Sequence, residues 1–279
     1  RDAWNQLRFD GKRMGLLSAH PQEPLVAYSL NLNDHDRDSE MAGHVRVSIV
    51  IPVFNKVEFT QQCLKTLYKN TPAGSNYEVI VVDNASTDNT PEFLEEALSS
   101  YRQLRVLTNS KNLGFSRSCN QGAHAAKGNY VLFLNSDTEV QPGWIEPLLN
   151  VLDYDPNVAA VGSKMLFPDK SIQHAGVVVL DDKKLPDPLV ARHIYYGQNE
   201  NFPKANQPCT YQSLTAACLL VRKRAFEEVG GFDEAYWNGY EDVDLCFKFQ
   251  KRGWLLIYQP KSIVIHYESQ SGPERFRAT

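Results

Sequence analysis

An acidic side chain and a histidine, each at the end of an apolar run, have the residue types that a metal site needs. Asp137 closes the segment Asn135-Ser136-Asp137 after the apolar residues 130–134, and His266 follows the apolar residues 263–265. Carboxylate oxygen and imidazole nitrogen are ligands for Mg²⁺ or Mn²⁺, and such an ion would let an acidic protein hold a diphosphate. The simpler alternatives are a strand-to-helix turn for Asp137 and a structural role for His266.

A second acidic cluster begins a predicted helix near residue 240. Glu241 and Asp242 stand in its first turn, and Asp242 shares a helix face with Cys246, which would hold the carboxylate at a fixed place over a cleft. Carboxylates in a first helical turn are equally explained by their interaction with the helix dipole. Tyr236 and Trp237 precede this helix, and their rings would stack on a sugar, although aromatic side chains are more often part of a core.

The elements that must position these residues alternate between strands and helices in the first half of the chain. A β-α-β-α-β-α-β order requires right-handed crossovers and a mostly parallel, buried sheet, so the predicted fold class is α/β. Ligands of such sheets bind beyond the carboxyl ends of the strands, and polar side chains follow all four predicted strands. The predicted strands are residues 47–53, 78–82, 104–107 and 130–134, and the predicted helices are residues 59–68, a segment with Thr90 as its N-cap, and residues 116–126.

The second half of the chain has a mixed pattern of elements. We interpret the polar residues 1–45 as a linker or the remnant of a preceding region. Residues 46–279 are predicted to form one domain, in which 46–137 would bind a nucleotide and 138–279 a second ligand. Residues 167–208 are predicted to be irregular apart from a strand at 177–180. The other predicted elements are helices at 144–152, from 224 and from 240, and strands at 158–161, 216–221, 255–258 and 263–265.

The composition excludes several classes of protein. The 279 residues include 29 Lys and Arg against 33 Asp and Glu, for a net charge of −4, and 42% are hydrophobic, so we expect a packed core and no nucleic-acid binding. No apolar run approaches the roughly 20 residues of a transmembrane segment. The five cysteines form no C-x-x-C pair, as expected for buried free thiols in a reducing cytosol. Because the first residue is Arg1, we expect a longer parent chain with neighbouring domains.

Six motifs occur in a specific order along the chain. They are VSIVIPVFN at 47–55, VVDNASTD at 81–88, NLGF at 112–115, LNSD at 134–137, GGFDE at 230–234 and EDVDL at 241–245. Together they resemble the family 2 glycosyltransferases, inverting enzymes of the GT-A fold that move a sugar from a nucleoside diphosphate to an acceptor hydroxyl. The resemblance covers about residues 46–266. It implies a Rossmann-like, mostly parallel sheet flanked by helices, followed by a mixed, acceptor-binding part.

The resemblance also implies roles for individual residues. Asp137 matches the last position of the family's D-x-D motif and would bind Mn²⁺ or Mg²⁺, with His266 as a further ligand. Asn135 stands where that motif has its first Asp, so we expect weaker metal binding. Asp242 would be the general base, with Glu241 as the competing candidate. The nucleotide-binding residues would be Pro52, Phe54, Asp83, Asn84, Asn112 and Phe115, and the acceptor-binding residues Trp237 and Tyr236.

These roles imply a metal-assisted inverting hexosyltransferase. The expected donor is a UDP or dTDP sugar. The expected acceptor is a glycan or lipid-linked saccharide in bacterial cell-surface polysaccharide synthesis, in the cytoplasm or at the cytoplasmic face of the membrane. One alternative is a catalytically silent domain that binds a nucleotide sugar or glycan within a larger protein, which Asn135 supports. Another is a sugar nucleotidyltransferase, which would need a Gly- and Arg-rich loop that residues 52–56 lack.

Overall fold

A computed structural model describes residues 26–28, 45–181 and 189–268 of the chain. One mixed sheet runs through these residues with helices on both faces, and a two-stranded hairpin lies beside it. The strands are β1 (Val26–Ala27), β2 (Val47–Val53), β3 (Tyr77–Asp83), β4 (Leu104–Thr108), β5 (Tyr130–Leu134), β6 (Thr138–Val140), β7 (Val158–Leu166), β8 (Ile172–His174), β9 (Val177–Asp181), β10 (Leu189–His193), β11 (Cys209–Thr210), β12 (Cys218–Arg222) and β13 (Leu255–His266). The helices are α1 (Val57–Asn70), α2 (Thr90–Ser100), α3 (Phe115–Ala125), α4 (Glu146–Tyr154), α5 (Lys223–Glu228) and α6 (Glu241–Lys251).

The first half of the sheet is parallel, in the order β4-β3-β2-β5. Every residue of β3 and β5 is buried, as expected for strands covered by helices on both faces. The four predicted strands agree with the structure to within one residue at each end. The carboxyl ends of all four strands therefore meet at one edge of the sheet.

The second half of the sheet is mixed. β12 lies antiparallel between β5 and β7, and β13 runs parallel to β7. β13 is a single strand of 12 residues with an irregularity between Gln259 and Ile263, where the sequence predicted two strands. β6, which was not predicted, pairs with the end of β13, so that Thr138 lies opposite His266. This pairing places Asp137 beside His266.

The helices bury the apolar positions that their spacing predicted. In α1, Cys63, Leu64 and Leu67 pack against one face of the sheet. The prediction that Thr90 caps α2 was wrong, because Thr90 is already helical. Asp88 is the residue whose carboxylate accepts the Thr90 backbone N–H, at 3.0 Å, and the Thr90 hydroxyl, at 2.6 Å.

Two segments that the sequence described as a linker and as mostly irregular contain additional strands. Within the predicted linker, Val26 and Ala27 pair with β11 at the edge of the sheet, and the Tyr28 hydroxyl donates to Asp155. Residues 1–25 and 29–44 lie outside the described residues. Between residues 167 and 208, the strand predicted at 177–180 is confirmed as β9, whereas β8, which pairs with β7, and β10, which pairs with β9 as a hairpin, were not predicted. The short strands β1 and β8 depend on partners in other segments of the chain, which local patterns do not reveal.

The prediction of buried free thiols is confirmed for all five cysteines: Cys63, Cys119, Cys209, Cys218 and Cys246. Burial raises the pKa of the Cys63, Cys218 and Cys246 thiols to about 12, which makes them unreactive. Within the part of the chain that the structure describes, no helix has the length and apolar character that a membrane span requires.

Candidate active site

A cleft of about 580 Å³ lies at the carboxyl ends of the four parallel strands. Its lining includes residues that follow each strand: 52–56 after β2, Asn84 after β3, 112–115 after β4 and 135–137 after β5. The second half of the chain contributes parts of β9 and β10, residues 215–217, residues 237–243 and His266. Of the predicted site residues, Pro52, Phe54, Asn84, Asn112, Phe115, Asp137, Trp237, Glu241, Asp242 and His266 line the cleft, whereas Asp83 and Tyr236 do not.

The loops after β2 and β3 are joined by hydrogen bonds across a separation of 31 or 32 residues. The Asn55 side-chain oxygen accepts the backbone N–H of Thr87 at 2.7 Å, and the Asn55 backbone N–H donates to the Ser86 hydroxyl at 2.8 Å. Asn55 and Lys56 both have a positive φ, 57° and 62°, which turns the chain sharply into α1. These bonds shape the part of the cleft that Pro52 and Phe54 line.

Asn84 connects the second loop to the third. Its side-chain oxygen accepts the Asn109 amide at 2.9 Å and lies 3.4 Å from the backbone nitrogen of Leu113. The neighbouring Asp83 is 2% exposed, and its carboxylate accepts the Ser86 backbone N–H at 3.1 Å. The structure therefore puts Asp83 in the turn beneath the cleft lining, and Asn84 at the surface of the cleft.

The beginning of α3 is tied to the loop that carries the exposed aromatic residues. The backbone N–H of Phe115 donates to the carbonyl of Trp237 at 2.9 Å, and the Ser116 hydroxyl donates to that of Tyr236 at 2.7 Å. Gly114 has a φ of 81°, and a Cβ there would lie 2.9 Å from the Trp237 carbonyl oxygen. Only glycine therefore allows this close approach of the two backbones.

Asp137 and His266 form a buried pair in the cleft wall. The Asp137 Oδ1 lies 3.1 Å from the His266 Nε2, and the two residues are 7% and 6% exposed. On the other edge of the ring, the His266 Nδ1 lies 2.7 Å from the Gln173 Oε1, which can only accept. The proton of a neutral His266 is therefore on Nδ1, and its Nε2 turns a lone pair toward Asp137, the arrangement that metal-binding histidines use.

Asn135 completes this group with an amide. Its Nδ2 lies 3.3 Å from the His266 Nε2, whereas its Oδ1, among the described residues, is buried without a hydrogen-bond partner. A residue that contacts His266 and has an unpartnered buried oxygen fits a divalent cation site, because carboxylate oxygens, amide oxygens and imidazole nitrogens are all ligands for such ions. The described residues hold no group of three or more His, Cys, Asp or Glu side chains that could bind a metal, so this set depends on the amide.

Asp242 lies at the start of α6, partly exposed and with its carboxylate held by the backbone. The Oδ1 accepts the Val243 backbone N–H at 2.8 Å, and the Oδ2 accepts that of Ala216 at 3.3 Å. Burial raises the pKa of the Asp242 carboxyl, although hydrogen bonds from these N–H groups and from the Thr215 hydroxyl oppose the shift. A carboxylate with a raised pKa is a stronger base than an ordinary aspartate.

Glu241 differs from Asp242 in its surroundings. Glu241 is 5% exposed and lies near the core. Burial raises the pKa of the Cys119 thiol in α3, and the nearby charge of Glu241 raises that pKa further. Both Glu241 and Asp242 line the cleft. Asp242 is more exposed there and has fixed orientation, which favours it as the proton acceptor.

The aromatic residues before α6 differ in whether they line the cleft. Trp237 is 50% exposed and Tyr240 is 39% exposed, and both line the cleft. The Tyr236 hydroxyl is instead buried without a hydrogen-bond partner among the described residues. The chain bends between Trp237 and Tyr240, since Gly239 and Tyr240 have φ values of 95° and 69°.

Several residues that contribute to the cleft were not predicted from the sequence. Gln173 orients His266, and residues 215–216 hold Asp242. His193 and Ala191 of β10 line the cleft from a segment predicted to be irregular. No local pattern marks these residues, because each depends on a contact distant in sequence.

Comparison with known proteins agrees with this arrangement. A family model described as Glycosyl transferase family 2 matches residues 48–230. The O-antigen biosynthesis protein RfbC of Myxococcus xanthus is 31% identical over 236 residues, which are 82% of this chain and 18% of RfbC. The N-acetylglucosaminyl-diphospho-decaprenol L-rhamnosyltransferase of Mycobacterium tuberculosis is 32% identical over 212 residues, 69% of this chain and 67% of that protein. The chain thus spans less than a fifth of RfbC.

Solved structures agree in fold. The crystal structure of GalNAc-T7 with UDP, GalNAc and Mn²⁺ matches with a TM-score of 0.66 and 19% identity, over 81% of this chain and 44% of that chain. This likeness confirms the predicted α/β fold of the GT-A type. Because the family model matches most of the chain and the motifs it covers surround one cleft, the chain belongs to glycosyl transferase family 2.

Proposed function

We propose that this chain transfers a hexose from a UDP or dTDP sugar to an acceptor hydroxyl with inversion at the anomeric carbon, assisted by Mn²⁺ or Mg²⁺. One observation carries the proposal: the Asp137–His266 pair and the partly exposed Asp242 line the same cavity. A single displacement needs a binding site for the leaving diphosphate and a base for the attacking hydroxyl within one cavity. The cleft supplies candidates for both.

The nucleoside would lie against the loops that follow β2, β3 and β4. Pro52, Phe54, Asn112 and Phe115 offer apolar and amide surface there, and Asn84 joins the loops. Asp83 would contribute through the turn that presents Asn84. Carboxylate and amide groups suit the imide edge of a pyrimidine base, and the GalNAc-T7 structure contains UDP, which favours UDP or dTDP.

The diphosphate would lie beside Asp137, His266 and Asn135. These residues would hold Mn²⁺ or Mg²⁺ through a carboxylate oxygen, the His266 Nε2 and the Asn135 Oδ1. The ion, when bound, neutralises the charge of the leaving diphosphate. GalNAc-T7 was solved with Mn²⁺, which supports a divalent cation in this chain as well.

Asp242 would act on the acceptor. Its carboxylate takes the proton of the attacking hydroxyl as the new glycosidic bond forms, and the bond between the anomeric carbon and the diphosphate oxygen breaks. The backbone N–H groups of Ala216 and Val243 hold the carboxylate in one orientation for this step. Its raised pKa strengthens it as a base.

The acceptor would enter past Trp237, whose exposed ring can stack on a sugar face. Tyr240 is the second exposed ring at that position, whereas Tyr236 would act by supporting the loop. We propose residues 46–137 as the nucleotide-binding half and 138–279 as the acceptor-binding half. The names of RfbC and of the N-acetylglucosaminyl-diphospho-decaprenol L-rhamnosyltransferase favour a glycan or lipid-linked saccharide acceptor in cell-surface polysaccharide synthesis. We propose that the chain acts in the cytoplasm or at the cytoplasmic face of the membrane.

A paired binding screen tests the proposal. With Mn²⁺ present, the melting temperature would be measured with UDP, UDP-glucose, UDP-N-acetylglucosamine, dTDP and dTDP-L-rhamnose at equal concentration. We expect one sugar nucleotide to stabilise the protein more than its parent nucleotide, and to release that nucleotide when octyl glycosides are added as acceptors. Binding without release or transfer would favour the catalytically silent domain. No stabilisation by any of the five ligands would contradict the proposal.

A further inference from the structure

The two residues that follow His266 contact the surroundings of the buried Asp137–His266 pair. The backbone N–H of Tyr267 donates to the Asp137 carbonyl at 3.0 Å. The Glu268 carboxylate reaches Gln173 instead, and its Oε2 accepts the Gln173 Nε2–H at 3.3 Å. The mechanism proposed above uses neither Tyr267 nor Glu268, so the contact between Glu268 and Gln173 needs an explanation of its own.

The hydrogen bonds of Gln173 determine which way its side-chain amide faces. Its Nε2 donates to the Glu268 Oε2 at 3.3 Å and to the backbone carbonyl of His266 at 3.4 Å. Carboxylate and carbonyl oxygens can only accept, so the NH₂ group must be the side of the amide that faces them. A turned amide would put its own oxygen against both acceptors, and because Gln173 is only 4% exposed, that mismatch would be costly. The Gln173 Oε1 is therefore the atom that faces the His266 ring.

The orientation of this amide determines the proton of His266. The Gln173 Oε1 lies 2.7 Å from the His266 Nδ1 and accepts its proton, which leaves Nε2 with a lone pair beside Asp137. If the amide were turned, its NH₂ group would donate to Nδ1, and the proton of a neutral ring would lie on Nε2. A protonated Nε2 cannot bind a cation. The orientation of one amide thus decides whether His266 can be a metal ligand.

We propose that Glu268 is a positioning residue for the metal site: its carboxylate holds the Gln173 amide, and the amide holds the proton of His266 on Nδ1. The Nε2 lone pair is thereby kept for Mn²⁺ or Mg²⁺. This inference rests on the proposed function, because it assumes that His266 is a metal ligand. In this role Glu268 acts through Gln173, so its effect must disappear when the amide is absent.

Titration of Mn²⁺ in the presence of UDP tests the proposal. Glu268→Gln keeps the size of the side chain but offers both a donor and an acceptor to Gln173, so the amide can turn. We expect about three- to tenfold weaker Mn²⁺ binding, less than removal of the Gln173 amide itself would cause.

Glu139→Gln is the matched control for the loss of a negative charge. Glu139 is also partly exposed and accepts the Tyr267 hydroxyl, and its replacement leaves the Gln173 amide untouched. The Mn²⁺ affinity of Glu139→Gln should stay within about twofold of the wild type. Equal losses in Glu268→Gln and Glu139→Gln would mean that Glu268 acts only by its charge, and would overturn the proposal.

A double-mutant cycle tests whether Glu268 acts through the amide. In the Gln173→Leu background, Glu268→Gln should have little further effect on the Mn²⁺ affinity. Losses that add in the double variant would overturn the proposal, because they would show that Glu268 affects the metal site without Gln173.

NMR of the histidine ring nitrogens, at alkaline pH and without metal, reads the tautomer directly. The wild type should carry the His266 proton on Nδ1, whereas Glu268→Gln should give a mixture of both tautomers. A single, unchanged tautomer in Glu268→Gln would overturn the proposal. If the wild type binds no Mn²⁺ in the presence of UDP, the proposed metal assistance fails, and the NMR comparison still decides whether Glu268 positions the amide.

Discussion

The two sides of the cleft are built in different ways. The nucleotide-binding half forms from consecutive parallel strands, and its loops contact the next loop along the chain, as Asn55 contacts Thr87 across 32 residues. The other side joins groups that are far apart in sequence, such as Asp137 and His266 across 129 residues. The first kind of surface follows from sheet order alone, whereas the second depends on the pairing of β6, β8 and β12 with their distant partners.

This difference indicates which side of the cleft depends on segments that are distant in sequence. A surface made by adjacent loops changes little if a distant segment is replaced. A surface made by distant segments can change its ligand through a new hairpin, without disturbing the nucleotide-binding half. The β9–β10 hairpin, which carries Ala191 and His193 into the cleft, is such a segment.

The largest effect is expected from Asp242→Asn, which removes the proposed base from the side of the cleft that is built from segments distant in sequence. The amide keeps the shape but cannot take a proton, so kcat should fall about 10²- to 10⁴-fold while the dissociation constant for the donor stays nearly unchanged. Single-turnover rates and donor titration would measure the two quantities. Glu241→Gln is the matched variant, and a larger loss of kcat in Glu241→Gln than in Asp242→Asn would assign the base to Glu241 instead.

The next largest effect is expected from Gln173→Leu, which removes the orienting partner of His266 but leaves the proposed metal ligands themselves unchanged. The free Nδ1 edge allows the ring to rotate or to change tautomer, so Mn²⁺ affinity should weaken about 10- to 100-fold. Titration of Mn²⁺ in the presence of UDP would measure the change. Gln198→Leu, an exposed change in the same region, is the control. Equal Mn²⁺ affinities in the wild type, Gln173→Leu and Gln198→Leu would contradict a metal site that depends on the orientation of His266.

A smaller effect is expected where the two sides meet. Gly114→Ala adds a Cβ at 2.9 Å from the Trp237 carbonyl oxygen, on a backbone with a φ of 81°. We expect a loss of about 1–3 kcal/mol in the free energy of unfolding, together with weaker acceptor binding as Trp237 moves. Gly143→Ala is the matched control, since Gly143 has a similar φ of 73° but no atom within 4 Å of the added Cβ. The same loss in both variants would mean that backbone strain, and not the contact with Trp237, explains the effect.

The smallest effect is a gain of stability in Asp242→Asn. Burial raises the pKa of Asp242 in the folded state, so its contribution to stability is present below the unfolded pKa and is lost as the pH rises through the folded pKa. At neutral pH the ionised carboxylate therefore destabilises the fold, and the uncharged amide should raise the melting temperature by about 1–4 °C. Melting curves from pH 4 to pH 7 would check the sign: the difference should be near zero at pH 4 and grow toward pH 7. A difference that shrinks with rising pH would contradict a raised pKa.

The sequence predicts the parallel strands of the nucleotide-binding half well, and the short strands of the other side poorly. The strands at 47–53 and 130–134 were predicted to the residue, because a short apolar run between polar ends has few alternatives. β6 and β8 have three residues each and were missed, since strands of that length are stable only through their partners. Tyr236 and Trp237 are adjacent and aromatic, and the pattern could not distinguish Trp237, which lines the cleft, from Tyr236, which does not.

The sequence by itself determined the α/β order, the polar residues at four consecutive strand ends, and the acidic start of α6, because these follow from local spacing and from the geometry of parallel sheets. Only the tertiary structure decided which side chains meet. It brought His266 to Asp137, Gln173 to His266, and the backbone of residue 216 to Asp242, through pairings between strands far apart in the chain. The physical reason is that a side chain's proton, orientation and pKa are set by its neighbours in space, and those neighbours are unknown until the sheet is assembled.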